Sequence, residues 1–196
     1  MKTNTGNNES IYNNKAIFDM VYKTIKSKAN SNAFIQGITG IAGFPSTLVV
    51  DGIVIFTHYE PLINDIRKLY GRSEISAKEL SPMMGSIVKE ILLDLAVDKV
   101  LGHVPVAGAY FNAVSAKALT WRLGMLVAVI SARGEEFTKA NISNVIKLIR
   151  YITPLNELLK LKKPDYEVFK RITLSATDNE ITTFNDKVQT ALKAFE

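Results

Sequence analysis

Between Gly108 and Gly124 every fourth residue is small or short and polar: Gly108, Asn112, Ala116, Thr120 and Gly124. Residues four apart are neighbours on one face of an α-helix, so this spacing predicts a low ridge winding slowly along it. A ridge without bulk lets another helix come close, in soluble bundles and in membranes alike. Gly37, Gly40 and Gly43 recur at every third position and predict close contact of the same kind. Asn112 and Thr120 are placed to hydrogen-bond across such a seam. The pattern constrains the fold to tight helix packing and carries no sign of catalysis.

The rest of the chain reads as helices punctuated by Pro and Gly, with few β-like alternations. Residues 1–9 are polar and Asn-rich and are expected to be disordered. Ile11, Ile17, Phe18, Val21, Tyr22 and Ile25 recur at helical spacing, which predicts a first amphipathic helix fading near Asn30. A second pair of helices is expected to meet near Phe44–Pro45, the latter running on to Tyr70 with Pro61 inside it and Gly71 as its stop. Ser76 and Glu79 have capping-box spacing, so a helix is expected to start there and run to about Gly102. Pro105 suits the first position of the ridge helix, which should end near Gly134. Shorter helices are expected over 139–152, 154–162 and 165–174, and after Thr177. The fold expected is all-α: one helical domain over residues 10–196, a bundle of seven to nine helices built around two glycine-rich hairpins. Residues 138–196 form its C-terminal helical extension.

The run from Ala29 to Val50 has no formal charge and is long enough for a spanning helix, which needs about 20 apolar residues. Pro45, the three glycines and Asp51 oppose insertion, as do Lys117 and Arg122 within the ridge helix. Two readings stand: a buried soluble core, or peripheral or hairpin-type membrane insertion. The N-terminus lacks the apolar run and cleavage site of a secretory signal, so a cytoplasmic location, at or in the cytoplasmic membrane, is expected. The net charge of +5 favours acidic partners, including anionic lipid, although the basic residues are spread along the chain.

Chemistry-bearing patterns are few. There is no cysteine, so thiol catalysis and disulfides are excluded. The glycines at 37–43 lack the Lys-Ser/Thr pair of a phosphate-binding loop. His58 and His103 have no metal-ligand spacing, and His103 falls where it would cap a helix C-terminus. Glu90, Asp94 and Asp98 line one helix face and are read first as ion-pairing with Lys117 or Arg122 across the hairpin. Asp51, among apolar neighbours, wants the same partners. Asp51, Glu90, Asp94, Lys117 and Arg122 thus form a candidate buried polar network. No catalytic, cofactor or metal residue is assigned, and no cofactor, specific nucleic acid or specific small molecule is expected.

Two segments together resemble a known family. One runs from Pro45 to Asp51 and on through Leu62–Gly71. The other is Val104-Pro105-Val106-Ala107-Gly108 with Asn112-Ala113, Ala116, Thr120 and Leu123-Gly124. They resemble the YcjF-like, GTPase-associated domain family of uncharacterised function, across roughly residues 33–134. The resemblance implies an all-helical, membrane-associated domain that accompanies a GTPase; this chain has no GTPase motif of its own. The function expected is a non-catalytic helical protein, membrane-associated or partner-binding, accessory to a separate GTPase and able to self-associate. One alternative is an enzyme, or a small-molecule or metal-binding protein, using Asp51 and the Glu90/Asp94/Asp98 carboxylates. Another is a membrane-remodelling or pore-forming protein.

Overall fold

The computed structural model describes residues 5–39, 52–84, 105–153 and 163–174. For residues 5–13, 36–39, 52–55, 105–112 and 151 it describes the backbone alone. Among the described residues there are six helices and no strand: α1 (Thr5–Thr39), α2 (Gly52–Leu69), α3 (77–84), α4 (Pro105–Arg133), α5 (Lys139–Ile152) and α6 (Tyr166–Leu174). The protein is therefore all-α in the part described.

Helix ends follow local chemistry. At the C-terminus of α2, Gly71 takes φ +67, and the Arg72 N–H returns to the Arg67 carbonyl at 2.9 Å. The same closure ends α4, with Gly134 at φ +73 and the Glu135 N–H on the Ile130 carbonyl. Both are left-handed glycine stops that satisfy carbonyls the helix leaves open. Before α3, the Glu79 carboxylate accepts from the Ser76 N–H at 2.8 Å, and the Ser76 hydroxyl accepts from the Glu79 N–H at 3.3 Å. That is a reciprocal capping box. Thr138 caps α5 by accepting from the Asn141 N–H, and Asp165 caps α6 by accepting from the Val168 N–H. Pro105 opens α4, where its missing N–H costs nothing.

The first helix is longer than its apolar pattern suggests. It starts at Thr5, inside the stretch expected to be disordered, and continues past Asn30 to Thr39. No proline interrupts it, and once a helix is nucleated each added residue brings one backbone hydrogen bond.

Helix α4 is the centre. It touches α1, α2, α5 and α6, and α1 lies along it more extensively than any other described helix. Nearly every side chain from Ala118 to Ser131 is buried, on all faces. The stretch Ala113–Arg133 is long and apolar enough to cross a membrane, and most of it is covered by the rest of the chain. One contiguous core joins Phe18, Ile25 and Ala29 of α1, Phe56, Ile63 and Ile66 of α2, Leu80 of α3, and the inner faces of α5 and α6.

Of the expected elements, Gly40, Gly43, His103, the helix over 154–162 and everything after Leu174 lie outside the described residues, as does the 85–104 half of the second hairpin. Gly71 has open space where a Cβ would be, so its substitution reads backbone strain alone. Gly71→Ala is expected to destabilise the fold by about 1 kcal/mol and Gly71→Asn by less, since Asn tolerates the left-handed region. Urea denaturation of the two variants checks this.

Candidate functional site

The described part of the small-residue ridge faces α1. At Gly124 a Cβ would stand 2.7 Å from Ile25 Cγ1, 2.9 Å from its Cγ2 and 3.0 Å from its Cδ1, so the glycine is what lets the Ile25 side chain lie against the α4 backbone. One turn earlier, Thr120 is wholly buried and occupies the centre of a three-helix hydrogen-bond node. Its hydroxyl donates to the Ala116 carbonyl at 2.6 Å. The same oxygen accepts from Asn32 Nδ2 of α1 at 2.9 Å and from the Tyr59 hydroxyl of α2 at 3.2 Å. Because the single Thr120 proton goes to Ala116, Tyr59 must be the donor in the third bond. Both lone pairs of the threonine oxygen are then used, and the node is closed.

Burial dominates the titration of Tyr59. Loss of hydration disfavours the phenolate and pushes its pKa up to about 12, against a smaller opposing effect of the Thr120 and Asn32 hydrogen bonds. At neutral pH the group is a neutral donor, the form the node requires.

Arg122, next along α4, is also buried. Its Nη2 donates to the Thr153 carbonyl at 3.3 Å, at the C-terminal cap of α5. A guanidinium there meets the negative end of the α5 dipole. The carboxylates expected to pair with it and with Lys117 (Asp51, Glu90, Asp94 and Asp98) lie outside the described residues. Burial lowers the Lys117 pKa, as for any ammonium drawn partly from water.

A second cluster docks α6. Phe18, Tyr22, Tyr166 and Phe169 stack edge-on or tilted, with centroids 5.0–6.2 Å apart, and Trp121 of α4 joins through Tyr22 at 5.2 Å. The Tyr22 hydroxyl donates to the Pro164 carbonyl at 3.2 Å, and the Tyr166 hydroxyl donates to the Asp19 carboxylate. That bond, with help from Lys15, holds the Asp19 carboxyl below its usual range.

Of the residues singled out in the sequence, Thr120 and Gly124 thus meet α1, and Ala116 is buried one turn earlier with its carbonyl accepting from Thr120. Gly37, Gly108 and Asn112 lie on described helix backbone without described side chains. His58 stacks edge-on against its neighbour Tyr59, and burial lowers its pKa. Asn32 and Tyr59 were not singled out in the sequence, yet both sit at buried helical spacings: Ile25, Ala29, Asn32 and Phe56, Tyr59, Ile63. A polar residue on an apolar stripe was the signal available. Among the described residues no group of three His, Asp or Glu side chains is placed to hold a metal ion. No protein-family model, curated protein or solved structure matches the chain.

Two tests address this site. Thr120→Val keeps the shape but leaves two buried donors unpaired and should cost about 2–3 kcal/mol, whereas Tyr59→Phe should cost about 1 kcal/mol; urea unfolding ranks them. In the unfolded chain Tyr59 ionises near pH 10, and in the fold near 12. Its contribution is therefore complete below pH 10 and is lost as pH rises from about 10 to about 12. Tyr59→Phe should flatten that alkaline fall in stability; a pH series in which parent and variant fall equally steeply would exclude the assignment.

Proposed function

We propose that this is a non-catalytic helical protein that works by binding, at a membrane surface or to a protein partner. In this reading the whole of residues 10–196 forms one bundle of seven to nine helices, with two glycine-rich hairpins at its heart. A separate GTPase is the partner that the sequence resemblance implies, and the cytoplasmic face of the membrane is the place.

The observation that carries the reading is where apolar side chains remain in contact with water. Phe34 is 68% exposed and Ile35 48% exposed at the end of α1, where the uncharged run toward Val50 has already begun. Isolated exposed apolar groups are ordinary, but an exposed Phe-Ile pair continuous with a glycine-rich apolar run suits contact with another surface. The inward-facing polar groups described at Thr120, Asn32 and Tyr59 are spent on one another, which supports placing the binding function on the outside.

Fractionation of expressing cells tests it. The protein is expected in the membrane pellet at neutral pH and is expected to be released, at least in part, by an alkaline wash. Material captured with it should hydrolyse GTP above the level of a control resin. Wholly soluble protein that brings down no GTP hydrolysis would overturn both parts of the reading.

A further inference from the structure

We infer that the solvent face of α1 is a docking surface for an anionic lipid headgroup layer, an inference that rests on the binding role proposed above and specifies its partner. Ala16, Met20, Lys23, Ser27 and Phe34 follow one another at intervals of three, four and seven residues, so they share one face of the helix. All five are exposed, Met20 by 46% and Phe34 by 68%. The opposite face is spent on the core through Phe18, Val21, Ile25, Ala29 and Asn32. The outer face is therefore held outward by the same contacts that fix α1 to α4.

Charge identifies the occupant. Over the described side chains of α1, Lys15, Lys23, Lys26 and Lys28 stand against one carboxylate, Asp19. That carboxylate already accepts the Tyr166 hydroxyl and pairs with Lys15 at 3.2 Å. Lys15 and Lys26 flank the exposed face on one side and Lys28 on the other, which leaves a cationic strip with Met20 toward one end and the exposed Phe34 and Ile35 at the other. Met20 and Phe34 are fourteen positions apart in sequence, about 21 Å along a straight helix. Ser27, Asn30 and Ser31 lie between them, also exposed.

A protein partner takes its affinity from a contiguous apolar centre, which this strip lacks. A headgroup layer is planar, accepts each anchor independently, and rewards lysines whose stems lie along it with their ammonium groups among phosphates. A straight helix with spaced anchors and flanking lysines matches that geometry.

Flotation of the purified full chain with vesicles provides the test, using phosphatidylcholine alone or with a minority of phosphatidylserine. The chain is expected to float with the serine-lipid vesicles only, and to be released as salt is raised toward about 1 M, where the screening length falls to about 3 Å. Lys23→Gln/Lys26→Gln should weaken binding about twenty-five-fold, at about fivefold for each lysine near the surface. Phe34→Ser should weaken it several-fold. All these side chains are exposed, so the thermal melt of each variant should match the parent and show that folding is intact. Equal binding to neutral vesicles, no binding to either, or variants that bind like the parent would overturn the inference. If the variants float like the parent while the parent still pellets with cell membranes or captures GTP hydrolysis, the binding role stands and only the α1 surface falls.

Discussion

The close approach of α1 to α4 is the contact on which the rest of the arrangement depends. It requires a missing side chain at Gly124, because the Ile25 side chain occupies the space a Cβ would take. It also requires the polar node at Thr120, because a buried hydroxyl with unsatisfied neighbours would cost about 1–3 kcal/mol for each donor left unpaired. Apolar surfaces alone would tolerate α1 sliding along α4. The Asn32 and Tyr59 bonds permit one register, since each reaches a single oxygen from a different helix. The node therefore trades little net stability for a defined geometry, and α2 is placed by the same oxygen that places α1.

Outside this centre the structure is closed by short polar ties. Asn64 of α2 grips the segment before α3 from both sides, donating to the Ile75 carbonyl at 3.2 Å and accepting from the Ile75 N–H at 2.9 Å. Glu60 accepts from the Ala77 N–H at 2.8 Å, so a carboxylate from α2 meets the positive end of α3. Arg72, just beyond the Gly71 stop, donates to the Ser131 carbonyl in the last turn of α4. Arg67 lies over the Phe137 ring, 5.0 Å from its centroid. The connection after α2 is thereby fastened to α3 and α4 at once.

The polar groups at the centre are engaged within the fold. Thr120, Asn32, Tyr59 and Arg122 all face neighbours within the bundle. The exposed apolar and cationic side chains of α1 face away from it. Helix α4 lies where four other described helices meet. Its apolar stretch has the length of a membrane span, yet its faces are taken by α1, α2, α5 and α6.

Helix limits and chirality-dependent stops were legible from sequence because they rest on contacts only a few residues apart. Pro105, Gly71, Gly134, the Ser76/Glu79 box and the helices at 139–152 and 166–174 all follow from local backbone needs. Gly124 and Thr120 of the small ridge were legible too, as a demand for some close neighbour. Which neighbour fills it was not, since a missing side chain specifies space and not its occupant. Asn32, 88 residues from Thr120, and Tyr59, 61 residues away, look in sequence like ordinary interruptions of an apolar stripe. The full reach of α1 was not legible either, since the helix runs from Thr5 to Thr39 and its apolar pattern fades near Asn30. Local hydrogen-bond chemistry determined where the described helices after α1 start and stop; only the tertiary structure decided which faces meet, because that choice is made by pairs of groups far apart along the chain.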